Sequence, residues 1–225
     1  MKSSNPKICP ICGGTEFESK LRTSRFGTPY HCLKCGSGER QRAIWKIYDK
    51  IPKEILKKSK ALQFSNDNSV DRNAFASFEI SVYGGDNSLD MMDIERANES
   101  YDWIISNQVL EHVADDTLAV EELLRILSSR GVIHINIPNP AYNLYTNDWG
   151  YPDPKIHDHY RHYGSDFLLR IDKALTSAYA IQVVEIDDVT DTLELVYFIS
   201  KSFNLLVQQI GRSLLTQKCV VLRGK

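Results

Sequence analysis

The sequence predicts an α/β protein: one domain of alternating strands and helices behind a small four-cysteine module. From residue 61 onward, short apolar β-branched runs alternate with amphipathic segments, and no second core of comparable size interrupts them. The first forty residues hold two CxxC pairs, Cys9/Cys12 and Cys32/Cys35, with 19 residues between them. A chain of 225 residues, 42% hydrophobic and 25% charged, suffices for one sizeable core and an appendage. No apolar run approaches the roughly twenty residues that span a bilayer, and the start MKSSNPK lacks a signal-peptide core, so a cytoplasmic chain is expected.

The cysteine module comes first, over residues 1–42. Two CxxC pairs at this spacing place four thiolates tetrahedrally around zinc, each pair turning in a knuckle with glycine just after its second cysteine, CPICGG and CLKCGS. With Cys9, Cys12, Cys32 and Cys35 as ligands no position stays open, so the zinc is expected to be structural, and His31 is unnecessary. Disulfides between these thiols are disfavoured in a reducing cytosol. Residues 43–60 read as a bridging helix, with Ile44, Ile47, Tyr48 and Ile51 at helical spacing and Pro52 ending it.

The main domain, residues 61–225, opens on a strand, ALQF at 61–64, followed by the turn-rich SNDNS. A second strand is expected from Phe78 to Tyr83, ending at Gly84, Gly85 and Asp86. The stretch from Tyr101 to Pro140 reads as strand, loop, helix, strand. Trp103, Ile104 and Ile105 form the first apolar run, and Val132 to Ile137 the second. Between them Asp115 and Asp116 mark a helix start, because carboxylates accept from free backbone donors and suit the positive end of the dipole. Leu118, Val120, Leu123, Leu124 and Leu127 supply the apolar face, and Gly131 the expected stop. Such a right-handed βαβ unit places ligands beyond the carboxyl ends of its strands, where Asn107, Gln108, Glu111 and His112 lie.

Residues 139–164 read as a long irregular segment rich in aromatics and histidines. Ser165 to Leu175 is expected to be helical, with Phe167, Leu168, Ile171 and Leu175 on one face. Ile181 to Ile186 reads as a strand, and Leu195, Ile199, Phe203, Leu206 and Ile210 as a helix. Cys219 to Leu222 is the expected last strand, Cys219 being a buried residue within it. Charge is uneven along this order: residues 1–60 hold 14 Lys and Arg against 5 Asp and Glu, and the remainder 13 against 24. The basic portion either docks on the acidic remainder or meets an anionic partner such as RNA.

On the segments YDWIISNQVLEHV, LLRILSSRGVIHINIPNP and HDHYRHYGSDF, the main domain resembles the class I S-adenosylmethionine-dependent methyltransferases, and the knuckles followed by CGSGERQRAIW resemble a subgroup with a four-cysteine module ahead of it. The resemblance implies a Rossmann-like, mostly parallel sheet with helices on both faces, a final antiparallel strand, and the cofactor over the carboxyl ends of the first strands. It implies Asp86 for the ribose hydroxyls, Asp90 for the adenine edge with Asp93 as fallback, Asn107 beside the sulfonium, and Gln63 and Ser65 in the cofactor loop. That loop, LQFSNDNS, lacks the usual glycines, and Asn66, Asp67 and Asn68 substitute as residues that tolerate positive φ.

Methyl transfer needs a nucleophile aligned with the methyl and, where required, a base. His159 leads as base, with His112 and Glu111 next and His157 and His162 also in the set. Glu111, His112 and His159 also match the metal-dependent small-RNA 2'-O-methyltransferases, although Gln108 stands where their first glutamate belongs. The leading expectation is a methyltransferase acting on a small-molecule or glycan acceptor. RNA methylation and a non-catalytic binding module on this fold are the alternatives.

Overall fold

The computed structural model describes residues 6–19, 27–85, 87–138, 140–176 and 178–214, and the backbone of 219–223. Strands β1 (Phe17–Glu18) and β2 (His31–Cys32) pair antiparallel within the cysteine module. Its two knuckles close alike: the N–H of Gly13 donates to the Cys9 carbonyl and that of Gly36 to the Cys32 carbonyl, both at 2.8 Å. Both glycines sit at positive φ, 71° and 75°, which side chains other than Asn and Asp rarely adopt.

Helix α1 (Glu39–Lys50) follows directly, then the short α2 (Lys53–Leu56). Ile44, Ile47 and Tyr48 of α1, at the helical spacing seen in the sequence, are buried against the main sheet. In chain order that sheet is built from β3 (Lys60–Phe64), β4 (Ser77–Ser81), β5 (Tyr101–Asn107), β6 (Leu127–Asn136), β9 (Tyr179–Ile186), β10 (Leu193–Ser200) and β11 (Cys219–Arg223). Between β6 and β9 the chain forms an outlying ribbon, β7 (Asn147–Asp153) and β8 (His159–His162), paired antiparallel. The sheet order is β11-β9-β10-β6-β5-β3-β4, with β10 and β11 running against the other five strands. The last strand is antiparallel, and so is β10.

Both sheet faces are covered. On one face Leu62, Ile104, Ile133, Ile135 and Tyr197 meet α3 (Asp116–Ile126) and α4 (Phe167–Arg170). On the other, Ala61, Trp103, Ile105, Val132 and Phe198 meet α1 and a helix that is π-wound over Asn204–Gly211 and α-helical over Arg212–Leu214. Strands buried on both faces read as unbroken apolar runs.

That burial explains one correction. The run through Leu195 and Ile199 is strand β10, not helix, and only the part from Asn204 on is helical. Leu195 and Ile199 face one layer and Val196 and Phe198 the other, so the alternation of a strand is invisible in hydropathy. Gly131 also differs in role. Helix α3 starts as expected, with the Asp115 carboxylate accepting from Leu118 N–H at 3.0 Å, but it ends at Ile126 and Gly131 lies within β6. A Cβ there would stand 2.6 Å from Leu127 Cδ1 and 3.0 Å from the Asp102 carbonyl, so the glycine serves close packing. Leu118 is 40% exposed, and Ala119 and Ile126 take its place in the core. The stretch expected to be irregular holds the β7–β8 ribbon, and the helix expected over 165–175 is regular only over Phe167–Arg170. No helix among the described residues is long and apolar enough to cross a membrane.

Part of the uneven charge is spent within the chain. Arg42 forms a bidentate pair with Asp187, at 2.8 and 2.7 Å, and both side chains are fully buried. Lys46 pairs with Glu185 and Asp188, Lys50 with Glu185, and Lys7 with Asp191. The basic N-terminal portion thus docks on the acidic turn between β9 and β10. Arg42→Met leaves Asp187 charged and unpaired in the interior, and is expected to lower stability by about 3–5 kcal/mol in urea unfolding. Gly131→Ala is expected to cost about 1–3 kcal/mol by overpacking, read by the same method.

Candidate functional site

The glycine-free loop after β3 and the residue pair ending β5 meet at the carboxyl edge of the sheet. Ser65 and Gln108, each directly after its strand, hold φ of 67° and 54°. Non-glycine residues in this region carry strain of roughly 1–2 kcal/mol, and such strain concentrates at functional sites. Side chains brace the loop in place of glycine. Gln63 Nε2 donates to the carbonyls of Ser65, at 2.7 Å, and Asp67, at 3.0 Å. Arg72 reaches Asn66 Oδ1, the Asp67 carbonyl and Asn68 Oδ1. The nearly buried Asp67 carboxylate accepts from Ser69 N–H at 2.8 Å and from Arg40 Nη2 at 2.7 Å.

Buried acceptors nevertheless remain without donors here. Gln63 Oε1 and Asn107 Oδ1 have no partner although their residues are 0% and 1% exposed. Each such atom costs about 1–3 kcal/mol, and a ligand bearing N–H or O–H groups would satisfy it. Asn107 itself is held by Nδ2 donating to Ser69 Oγ at 2.8 Å.

Beyond β5 a short turn, Leu110–His112, carries Glu111 and His112 to the β7–β8 ribbon. The ligating atoms of Glu111, His112 and His159 all lie within 4.8 Å of one another, and the two imidazoles meet edge to face at 4.6 Å between centroids. Arg161, on β8, positions this cluster: its guanidinium donates to the carbonyls of Leu110, Val113 and Ala114 and to Asp148. Burial pushes the Glu111 carboxyl up to about 8, so it is protonated at neutral pH, and its Oε2 has no partner. Burial, then the neighbouring histidines, brings His159 down to about 4, and burial also lowers His112. Both imidazoles are therefore neutral near pH 7 and able to accept a proton, and His159 Nδ1 is unpartnered. His162 and His157 ring centroids stand 6.0 and 6.2 Å from that of His159.

The four module cysteines converge too. Their Sγ atoms lie within 4.8 Å of one another, with Cys9 to Cys35 at 3.7 Å and Cys12 to Cys32 at 3.6 Å. These separations are far beyond a disulfide and match the edge of about 3.8 Å of a tetrahedron with 2.3 Å metal–sulfur bonds. A Cβ on Gly14 would come within 3.1 Å of Cys32 Sγ and 3.3 Å of Cys12 Sγ, so the fold keeps this cradle clear. The donor set fits zinc.

Of the residues singled out from sequence, Gln63, Ser65 and Asn107 line the loop site, while Glu111, His112 and His159 form the second cluster. Asp90 lies on an exposed turn, its carboxylate accepting from Met92 N–H at 2.8 Å, and Asp93 follows in the same turn. Asp86 and the Cys219 side chain lie outside the described residues. Sequence reasoning missed Arg40, Ser69 and Arg161. The positive excess of residues 1–60 was the only signal for Arg40, and it names no partner; Arg161 stands within the segment HDHYRHYGSDF, which by itself gives it no role. Arg40 and Gln108 also border a polar cavity of about 280 Å³, completed by Tyr30, Gly38, Glu39, Gln41 and Glu194.

A sequence-family model for a methyltransferase domain matches residues 12–174. No curated protein matches the chain. Among solved structures, the chain is similar to an S-adenosylmethionine-dependent methyltransferase from Mesorhizobium loti, at 12% identity and TM-score 0.45 over 68% of this chain and 95% of that one. It is also similar to DesVI of Streptomyces venezuelae, at 10% identity and TM-score 0.46 over 73% and 92% of the two chains. A third is the 1,6-didemethyltoxoflavin-N1-methyltransferase of Burkholderia thailandensis, solved with that substrate and S-adenosylhomocysteine, at 11% identity and TM-score 0.44 over 70% and 80%. The mixed sheet covered by helices on both faces has the Rossmann-like class I architecture.

Proposed function

The chain belongs to the methyltransferase-domain family, and on that premise we propose that it is an active S-adenosylmethionine-dependent methyltransferase whose acceptor is a polar small molecule or a glycan. The observation that carries this reading is the pair of orphaned buried acceptors, Gln63 Oε1 and Asn107 Oδ1, at the carboxyl ends of β3 and β5. The cofactor, when bound, supplies an electrophilic methyl on a sulfonium leaving group. The chain's own residues then hold and orient. Gln63, Ser65 and Asn107 contact the cofactor, with Asp86 assigned to the ribose and Asp90 to the adenine edge. The 280 Å³ cavity is the acceptor pocket, its lining of a phenol, two amides, two carboxylates and a guanidinium suited to a polar, hydroxyl- or amine-bearing molecule.

His159 is the general base, since its imidazole is neutral at working pH and lies against His112, four residues along the chain from the cavity-lining Gln108. Glu111 and His112 complete the acid–base group, the protonated Glu111 being a donor. Zinc on Cys9, Cys12, Cys32 and Cys35 fastens residues 1–42 as a structural module, with 43–60 the bridge to a methyltransferase domain over 61–225. A second reading rests on the 4.8 Å cluster: Glu111, His112 and His159 hold a divalent cation that orients the acceptor. A cation there would pull the raised Glu111 carboxyl back to its ionised form.

Titration calorimetry with S-adenosylhomocysteine tests the cofactor assignment: saturable heat at one site per chain is expected, and absence of both heat and a melting shift would sink it. The pH profile tests the base. With His159 acting, turnover stays level from about pH 5.5 to 8 and falls as pH drops toward 4, and His159→Ala lowers kcat roughly 10²–10⁴-fold. A limb near pH 8 would instead assign the base to Glu111. Metal analysis of the purified chain is expected to find one zinc per molecule, and Cys32→Ser to remove it and lower the Tm.

A further inference from the structure

Asp67 is where the cysteine module reaches the glycine-free loop. The connection is short and continuous. Within the second knuckle, Cys32 N–H donates to the Ser37 carbonyl at 2.9 Å, and Cys35 Sγ and Ser37 Oγ lie in hydrogen-bond contact at 3.2 Å. Gly38 N–H then donates to Gln41 Oε1 at 3.0 Å, closing the first turn of α1, and Arg42 Nη1 returns to the Ser37 carbonyl at 2.8 Å. That same turn projects Arg40 onto Asp67 Oδ2, with Gln41 Nε2 behind it at 3.4 Å. The opposite carboxylate oxygen, Oδ1, takes Ser69 N–H and, at 3.4 Å, Asn107 Nδ2. One carboxylate therefore joins the knuckle, the loop and the end of β5.

We propose that Arg40 is a positioning residue that holds the loop in its binding shape through Asp67, and thereby couples the metal state of the four-cysteine module to cofactor affinity. The inference rests on the cofactor reading above. A loop without glycine has no intrinsic preference for the left-handed turn at Ser65, so its shape depends on braces from outside. Gln63 and Arg72 brace its backbone from within the same domain, whereas Arg40 comes from the first turn after the knuckle. Without a cation the cysteines take up protons, the knuckle loses the bonds that close it, and the Ser37–Gly38 lead into α1 loosens around Arg40, while the Arg42–Asp187 pair still holds the helix to the sheet. Apparent affinity then falls with the fraction of chains whose loop is in the competent shape.

The test is S-adenosylhomocysteine titration calorimetry on the full chain, wild type, R40M and R40K, each metal-loaded and after chelation, with circular dichroism to monitor folding. Metal-loaded R40M is expected to bind roughly tenfold more weakly than wild type, with R40K recovering part of the loss. Chelation is expected to weaken wild type by a similar factor and to leave R40M nearly unchanged, because its link is already cut. Unchanged affinity in R40M, or equal weakening of wild type and R40M on chelation, overturns the coupling while leaving the cofactor reading intact. No binding by metal-loaded wild type overturns both. If the chelated chain unfolds, the metal-loaded R40M and R40K titrations decide alone: weakened R40M with partial recovery in R40K supports the proposal, and equal affinities overturn it.

Discussion

The buried pair of Arg42 and Asp187 is the constraint around which the molecule is assembled. A guanidinium and a carboxylate with no exposed surface are tolerated because the pair is bidentate and further buried groups bond to both partners. Arg42 Nη1 donates to the carbonyls of Tyr30 and Ser37, and Asp187 accepts from the N–H and hydroxyl of Thr190. One interaction thus ties together the second cysteine knuckle, helix α1 and the turn between β9 and β10. Partial undocking would strand a buried charge, so the module and the sheet behave as one body near this contact.

From that anchor the geometry of the loop site follows. Arg42 and Arg40 share the first turn of α1, and between the buried pair and the knuckle ahead of it that turn brings Arg40 over the carboxyl ends of β3 and β5. Asp67 waits there, and around it the chain has put donors where a typical nucleotide-binding loop would put glycines. The result is a site whose shape is imposed by side chains from three segments rather than by backbone freedom. Asn107, Gln63 and Asp67 stand on the same sheet face as Trp103, Tyr48 and His134, whose own polar atoms meet in the core, Trp103 Nε1 donating to Tyr48 Oη at 2.8 Å.

The second cluster obeys a different logic. Glu111, His112 and His159 are brought together by a ribbon that has little core of its own and is held by Arg161, Asp148, Asp116 and Arg170. The charges sit in that clamp, while the cluster of Glu111, His112 and His159 is kept neutral: burial raises the carboxyl and lowers the imidazoles. A neutral acid beside neutral bases suits proton transfer near pH 7, and the same three groups suit a cation that would reverse the Glu111 shift.

Much of this was legible in the sequence, for local reasons. The CxxC spacing, the Asp115 cap of α3, the strands at 61–64 and 181–186 and the polar cluster after Asn107 each depend on residues close in the chain, where periodicity and capping act. Strand β10 was illegible because burial on both faces erases its alternation, and Gly131 because its constraint is a neighbouring strand's carbonyl. The site divided in the same way. Composition and motif singled out Glu111, His112 and His159, whereas only the fold showed that Arg40 meets Asp67, that Arg42 meets Asp187 and that Arg161 grips the turn before α3. A sequence alone determines which residues prefer which local state; which charge faces which is decided by packing, because the partners lie 27, 145 and about 50 residues apart and no local preference reaches across that distance.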